Sequence, residues 1–188
     1  SLNTYVVPAP PTDLAQQVLP FAEYIKLNGT GTTSLVSNGA TTNQDFYVGA
    51  KAYDVHIKTL VVEIADAGAQ PAQFGALAAL TNGLEFYYFN QSIGQYTIES
   101  GIKSNYDMLT LANFNPAFGT AADTFLITNA IGTSEVYVGV IDLARIFGLP
   151  WGVLLRANST DRLGFIVKDN LTGVDQMTVK SYGARLLS

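Results

Sequence analysis

The sequence predicts a mostly β chain: a two-sheet β-sandwich, jelly-roll-like, with one short helix and an extended N-terminal arm. Three observations predict it. Short apolar segments alternate at period two, turn residues punctuate them about every eight to twelve positions, and only one stretch carries both a helix start and a helix stop. At 188 residues the chain suits one domain with a single core. The expected division is an arm over 1–20 and one sandwich over 21–188.

Four of the seven prolines, Pro8, Pro10, Pro11 and Pro20, fall in the first twenty residues, where they favour extended backbone and remove ladder donors. Ser1 to Pro11 therefore reads as an arm outside the core, and a short helical turn is expected from Asp13 to Leu19. Strand alternation begins at Glu23 with Tyr24-Ile25-Lys26-Leu27 and stops at Asn28-Gly29. Leu35-Val36 followed by Asn38-Gly39 reads as another hairpin step, and Gln44 to Val48 as a short strand. Asp54 to Ala65 is the strongest strand. Val55 and Ile57 face one side, Asp54, His56 and Lys58 the other, and Leu60-Val61-Val62 is expected to be buried on both faces. Leu84 to Phe89 and the neighbourhood of Tyr96 to Ile98 give two more.

The helix is expected over Ser104 to Asn113. Ser104 and Asp107 form a capping-box start, Met108, Leu111 and Ala112 supply an apolar stripe, and Pro116 lies beyond the end. It is expected to close one end of the sandwich. Strands follow at Thr124–Thr128, Val136–Leu143, Trp151–Ala157, Arg162–Lys168 and Gln176–Tyr182. The last two, separated by Asp169 to Asp175, are expected to form a hairpin.

Composition limits function. Charged residues make up 13% of the chain and hydrophobic ones 48%, so much of the exterior is uncharged, as surfaces covered by a partner are. An ordinary Thr/Asn-rich β surface is the other reading. The net charge is −5 and the Lys and Arg residues stand singly, so no nucleic acid is expected as partner. The absence of cysteine removes disulfides, thiolate metal sites and cysteine nucleophiles. Ser1 to Tyr5 has neither a basic nor an apolar signal region, and the longest charge-free apolar-leaning stretch, Ala67 to Leu84, is broken by Gln70, Pro71, Gln73, Gly75 and Asn82. No signal peptide and no membrane span are expected.

The constellations of catalysis are sparse. His56 is the single histidine; Asp54 and His56 share a strand face at i and i+2, but Lys58 shares it too and repels a cation. No G-x-S-x-G elbow or phosphate loop occurs. Glu63, Glu85, Glu99 and Glu135 are the carboxylates that a sandwich-fold hydrolase would need to bring together in a pair, and solvated strand faces are the plainer reading. Asp169, Asn170 and Asp175 offer oxygen ligands without calcium-loop spacing, so a polar turn is expected there. Sequons at Asn28, Asn90, Asn158 and Asn170 are what a polar Asn/Thr-rich chain produces by chance. The expectation is a protein that is not an enzyme and has no cofactor, metal or catalytic residue.

Phe86-Tyr87-Tyr88-Phe89 is the most informative run. Alternation sends Tyr87 and Phe89 to the face opposite Phe86 and Tyr88, outside a one-sided core. Tyr87 and Phe89, with Pro8, Pro10 and Pro11 of the arm, are the interface candidates. The alternative for the rings is a cover supplied by the fold itself.

Ile64-Ala65-Asp66-Ala67-Gly68, with Gln73-Phe74-Gly75 and Ala79-Leu80-Thr81-Asn82-Gly83-Leu84, resembles capsid-associated structural proteins of tailed bacteriophages. The resemblance spans Asp54 to Leu111. It implies a jelly-roll or related fold and a virion location after assembly in the bacterial cytoplasm. It also implies a homo-oligomer, a trimer in many members, that decorates or cements a shell of major capsid protein. The alternative is a carbohydrate-binding sandwich, a phage fibre or lectin-like domain, in which Tyr87, Phe89 or Trp151 stacks on sugar rings.

Overall fold

Period-two alternation carries ten strands in the computed structural model, which describes residues 18–27, 35–109, 124–128 and 134–186. The first sheet contains β1 (Val18–Leu27), β10 (Gln176–Leu186), β3 (Val55–Ala67), β7 (Ser134–Asp142) and β6 (Thr124–Thr128), in the order β1-β10-β3-β7-β6. The short β8 (Val153–Leu155) also pairs with β3. The second contains β2 (Gln44–Gly49), β9 (Arg162–Val167), β4 (Leu84–Asn90) and β5 (Gly94–Ile102), in the order β2-β9-β4-β5. Every pairing is antiparallel. The first and last strands lie side by side, β2 beside β9 and β3 beside β7, so the chain is a long hairpin rolled on itself across two sheets. That is a jelly-roll order.

Apolar side chains of both sheets fill the space between them. Phe165 stacks on Phe46 at 5.5 Å and tilts against Phe86 at 5.4 Å, joining β9 to both its neighbours. Val55, Ile57, Val62, Ile64, Val167 and Met177 complete the same cluster. Each such side chain, fully buried, contributes about 1.5–3 kcal/mol.

The strand β3 does not become buried on both faces, as its apolar run suggested. Val55 and Ile57 are buried, then Leu60, Val62 and Ile64, while Val61 stays half-buried. The inward parity changes because the pairing with β10 steps from Thr59–Tyr182 to Ile57–Gly183 and leaves Lys58 of β3 as an extra, unopposed residue. A bulge inserts one residue, bends the strand and turns His56 outward near its N-terminal end. Gly183 makes the close approach possible, since a Cβ there would overlap the carbonyl oxygen of His56.

Three boundaries move. Val18 to Pro20 belong to β1, paired with Leu186, Arg185 and Ala184, rather than to an arm or a helical turn. The length of β10 extends the ladder that far, and β1 is an edge strand, where proline's missing donor costs nothing. Residues 13–17 and the Asn28-Gly29 step lie outside the described residues. β9 and β10 form no hairpin: Asp169 to Asp175 crosses from the second sheet to the first, because each strand has two other partners. Leu35 to Gly39 runs alongside that crossover, with Leu35 N–H donating to Val174 O, Leu171 N–H to Ser37 O and Gly39 N–H to Asp169 O. It makes one isolated bridge, Asn38 to Asn170, in place of a hairpin.

The helix α1 (Asn105–Leu109) has the expected capping box. The Asp107 N–H donates to Ser104 Oγ at 3.2 Å, and the Ser104 N–H donates back to Asp107 Oδ2 at 3.0 Å. The expected continuation to Asn113 lies outside the described residues. A second helix, α2 (Leu143–Phe147), follows β7; it takes over Leu143, the last residue of the expected strand, and occupies a stretch to which the sequence assigned no element. Asp142 caps its start by accepting from Arg145 N–H, and Gly148 closes its end in the left-handed conformation at φ 65°.

Candidate functional site

Local backbone chemistry builds one open groove at the end of the sandwich where β10 terminates. After Gly148, the chain makes a tight turn in which Gly152 N–H donates to Leu149 O at 2.9 Å, with Pro150 and Trp151 at its centre. Gly152 has φ 73°, and a side chain on it would overlap the carbonyl oxygen of Ile57. The turn is thereby pressed against β3, which leaves Leu149 and Trp151 standing outward, 51% and 60% exposed. Opposite them the β4–β5 hairpin presents Ile93 and Tyr96, 65% and 45% exposed.

The floor is aromatic. Tyr88 and Tyr96 stack at 6.4 Å, and the Phe147 ring stands edge-on to both, at 6.1 and 6.4 Å. Tyr88 is fixed by donating its hydroxyl to Leu154 O at 2.7 Å and accepting from Asn90 Nδ2 at 3.1 Å. Burial pushes its phenol above the usual tyrosine range. The resulting groove encloses about 460 Å³. Around Trp151 and His56, which it shares, it continues into a trough of about 180 Å³ lined by Val18, Ala184, Arg185 and Leu186.

An ion pair between a buried carboxylate and a partly exposed guanidinium holds one wall. The Asp161 carboxylate, fully shielded from solvent, accepts from Arg156 Nε at 2.8 Å and Nη2 at 2.9 Å, from Arg156 N–H at 3.0 Å and from Gln91 N–H at 2.7 Å. Arg156 in turn donates to Ser92 Oγ and Asn90 Oδ1, tying the residues after β8 to the hairpin that carries Ile93. The guanidinium, chiefly through these hydrogen bonds, holds the Asp161 carboxyl well below the usual carboxylate range.

The groove suits apolar and aromatic contact. Its polar side-chain groups are few: the Tyr88 hydroxyl is engaged, and His56 Nδ1 is buried without a hydrogen-bond partner among the described residues. No group of three or more metal-binding side chains occurs among the described residues.

The residues singled out from sequence are dispersed. Tyr87 lies on the outer face of the second sheet, as alternation requires, yet is 1% exposed, so it is corrected from an outward anchor to a covered ring. Its hydroxyl donates to Asp45 Oδ1 at 2.6 Å, and the Arg162 guanidinium lies 5.8 Å from its ring, 5.2 Å from Tyr47 and 4.9 Å from Phe89. Phe89 is thus half-buried under the same cation. Burial, with the Asp45 hydrogen bond, pushes the Tyr87 phenol far up. Pro8, Pro10 and Pro11 lie outside the described residues.

The acidic candidates do not converge. Glu63 pairs with Lys180 at 2.9 Å on one sheet and Glu85 with Lys168 at 2.6 Å on the other. Burial raises the Glu99 carboxyl to about 6, against a Ser100 hydrogen bond that lowers it and with help from the charge of Asp107. Asp107 is itself engaged, accepting from Lys103 and Ser104 N–H. The Glu135 side chain lies outside what is described. Asp169 is filled by backbone donors, Thr81, Asn82 and Gly83 N–H at 2.8–3.1 Å. Asn170 and Asp175 accept from Thr172 and Ala67 N–H, so the crossover is a hydrogen-bonded turn. Asp54, which the sequence places on the same strand face as His56, accepts from Ala157 N–H at 2.7 Å.

Sequence reasoning found Trp151 but missed Ile93, Tyr96, Phe147 and Leu149 as its neighbours. The signal was present in Phe147-Gly148-Leu149-Pro150-Trp151-Gly152, where two glycines and a proline force large apolar residues into a turn. No protein-family model, no curated protein and no solved structure matches this chain.

Proposed function

We propose that this chain is a structural protein of a virus particle, acting by contact in the manner of bacteriophage capsid-decorating proteins. Its jelly-roll order is one that viral shell proteins use, as do lectin domains. The observation that carries the reading is the open aromatic groove. Four large side chains, Ile93, Tyr96, Leu149 and Trp151, stand between 45% and 65% exposed around it. Contiguous exposed apolar surface of this kind marks a site of protein contact.

Covering those four half-exposed side chains returns roughly 1 kcal/mol each. That is less than association costs for one isolated contact, and it becomes sufficient when many copies repeat it on a symmetric lattice. The partners in this reading are other copies of the chain and the major capsid protein, and the location is the virion.

The test is the shell encoded alongside this chain, melted and imaged by cryo-microscopy with and without the purified protein. Added density and a raised melting temperature are expected; an unchanged shell contradicts the proposal. Sugar binding is the competing outcome, since Trp151 presents a flat ring. A groove so poor in polar groups leaves sugar hydroxyls without partners, and a glycan array is expected to be silent.

A further inference from the structure

The groove and the segment that precedes β1 fit one another chemically. Residues 1–17 hold Pro8, Pro10 and Pro11 and carry a single charge, Asp13. Proline-rich backbone adopts the polyproline helix, with three residues per turn. At that spacing Tyr5, Pro8 and Pro11 fall along one edge, and Val7 and Pro10 along the next. Such apolar ridges are bound by grooves lined with aromatic rings, which stack on the prolines at low entropic cost. The groove here offers Tyr88, Tyr96, Phe147 and Trp151.

We infer that the groove receives the segment Tyr5 to Pro11 of a second copy of this chain. Val18, the first residue of β1, lines the trough that leads into the groove, so each copy's segment leaves the fold beside its own site. The seven steps from Pro11 to Val18 span at most about 25 Å, enough to reach an adjoining copy. Trp151 and Ile93, 60% and 65% exposed, leave the rim of the groove accessible to a segment from another copy. Charge agrees: Asp13, two residues beyond Pro11, would follow the segment into the trough, whose fixed cation is Arg185. The result is a reciprocal exchange in which each copy gives one segment and accepts one.

This inference rests on the contact reading above, and the absence of cysteine makes both separately testable. Full-length Ala9→Cys chains, which keep all three prolines, are mixed with full-length Ile93→Cys chains under mild oxidation while light scattering follows the oligomeric state. The expected result is a disulfide-linked pair at twice the chain mass, suppressed by excess peptide covering residues 1–17. It should exceed the yield with a Val36→Cys control, a residue 65% exposed beside the start of β10, away from the groove.

Two results overturn the inference. One is closure of an Ala9→Cys/Ile93→Cys chain within the monomer without mixed pairs, which makes the segment a strap on its own groove. The other is no linkage above the control. If no linkage forms but the protein is oligomeric, the contact reading stands and only the groove assignment falls; if it is a strict monomer, both fall.

Discussion

Replacing Asp161 with asparagine removes the charge from the carboxylate that anchors one wall of the groove. Asp161 accepts four hydrogen bonds, two from the Arg156 guanidinium and two from the backbone N–H groups of Arg156 and Gln91, in a place where its side chain has no contact with water. Breaking a buried ion pair from one side costs about 3–5 kcal/mol. The Arg156 side chain is 37% exposed, so water recovers part of the guanidinium's solvation and the lower value applies, about 3 kcal/mol. In a chain of this size that is a fall in melting temperature of about 6–12 °C.

The loss has a pH signature. The folded carboxyl is held below its ordinary value, so its contribution is fully present above the unfolded pKa of about 3.9 and disappears as pH falls from there toward the folded value. Thermal melts of both proteins followed by circular dichroism are therefore expected to differ most at pH 7 and to converge toward pH 2.5. A difference under about 1 kcal/mol at pH 7, or one that does not shrink in acid, refutes the reasoning.

Other perturbations follow from the same structure. Gly183→Ala, which drives a methyl into the His56 carbonyl at the bulge, is expected to cost about 3 kcal/mol in denaturant titration. Gly49→Ala, whose nearest neighbour is the Tyr47 ring at 3.5 Å, is expected to cost less than about 1 kcal/mol. Asp169→Ala strips the acceptor from three consecutive backbone N–H groups and is expected to lose about 2–3 kcal/mol, with faster hydrogen exchange at Thr81 to Gly83. Glu99 has a raised folded pKa of about 6, so the stability tied to its protonated form is present below about pH 4.3 and is lost as pH rises through 6. Glu99→Gln is therefore expected to be more stable than the parent by about 1–2 kcal/mol at pH 8 and equal to it at pH 4.

Much of the architecture was legible because it depends on local signals. Alternation located β2, β4, β9 and most of β3, and the Ser104/Asp107 pair located the start of α1 from two side chains. What stayed hidden is set by partners distant in sequence. The bulge at Lys58 is visible only once Gly183 is laid against β3, and the apolar run Leu60-Val61-Val62 alone suggests burial on both faces. The Asp169 to Asp175 stretch has hairpin composition, yet β9 is claimed by β2 and β4, and β10 by β1 and β3. For the site, alternation correctly placed Tyr87 on the outer face. It could not foresee that Arg162 and Asp45 would converge on it, because those residues lie on two other strands. The groove gathers β3, β4, β5 and the α2–β8 turn, and no single segment announces it.

The central claim is that this protein works through surfaces covered by neighbouring chains, with the groove around Trp151 as the main one. Trp151 is the single tryptophan, so its accessibility to acrylamide, measured during sedimentation-equilibrium runs across concentration, reports on that surface alone. The account predicts a discrete oligomer whose formation shields Trp151 from the quencher. A monomer at all concentrations with Trp151 freely quenched contradicts it.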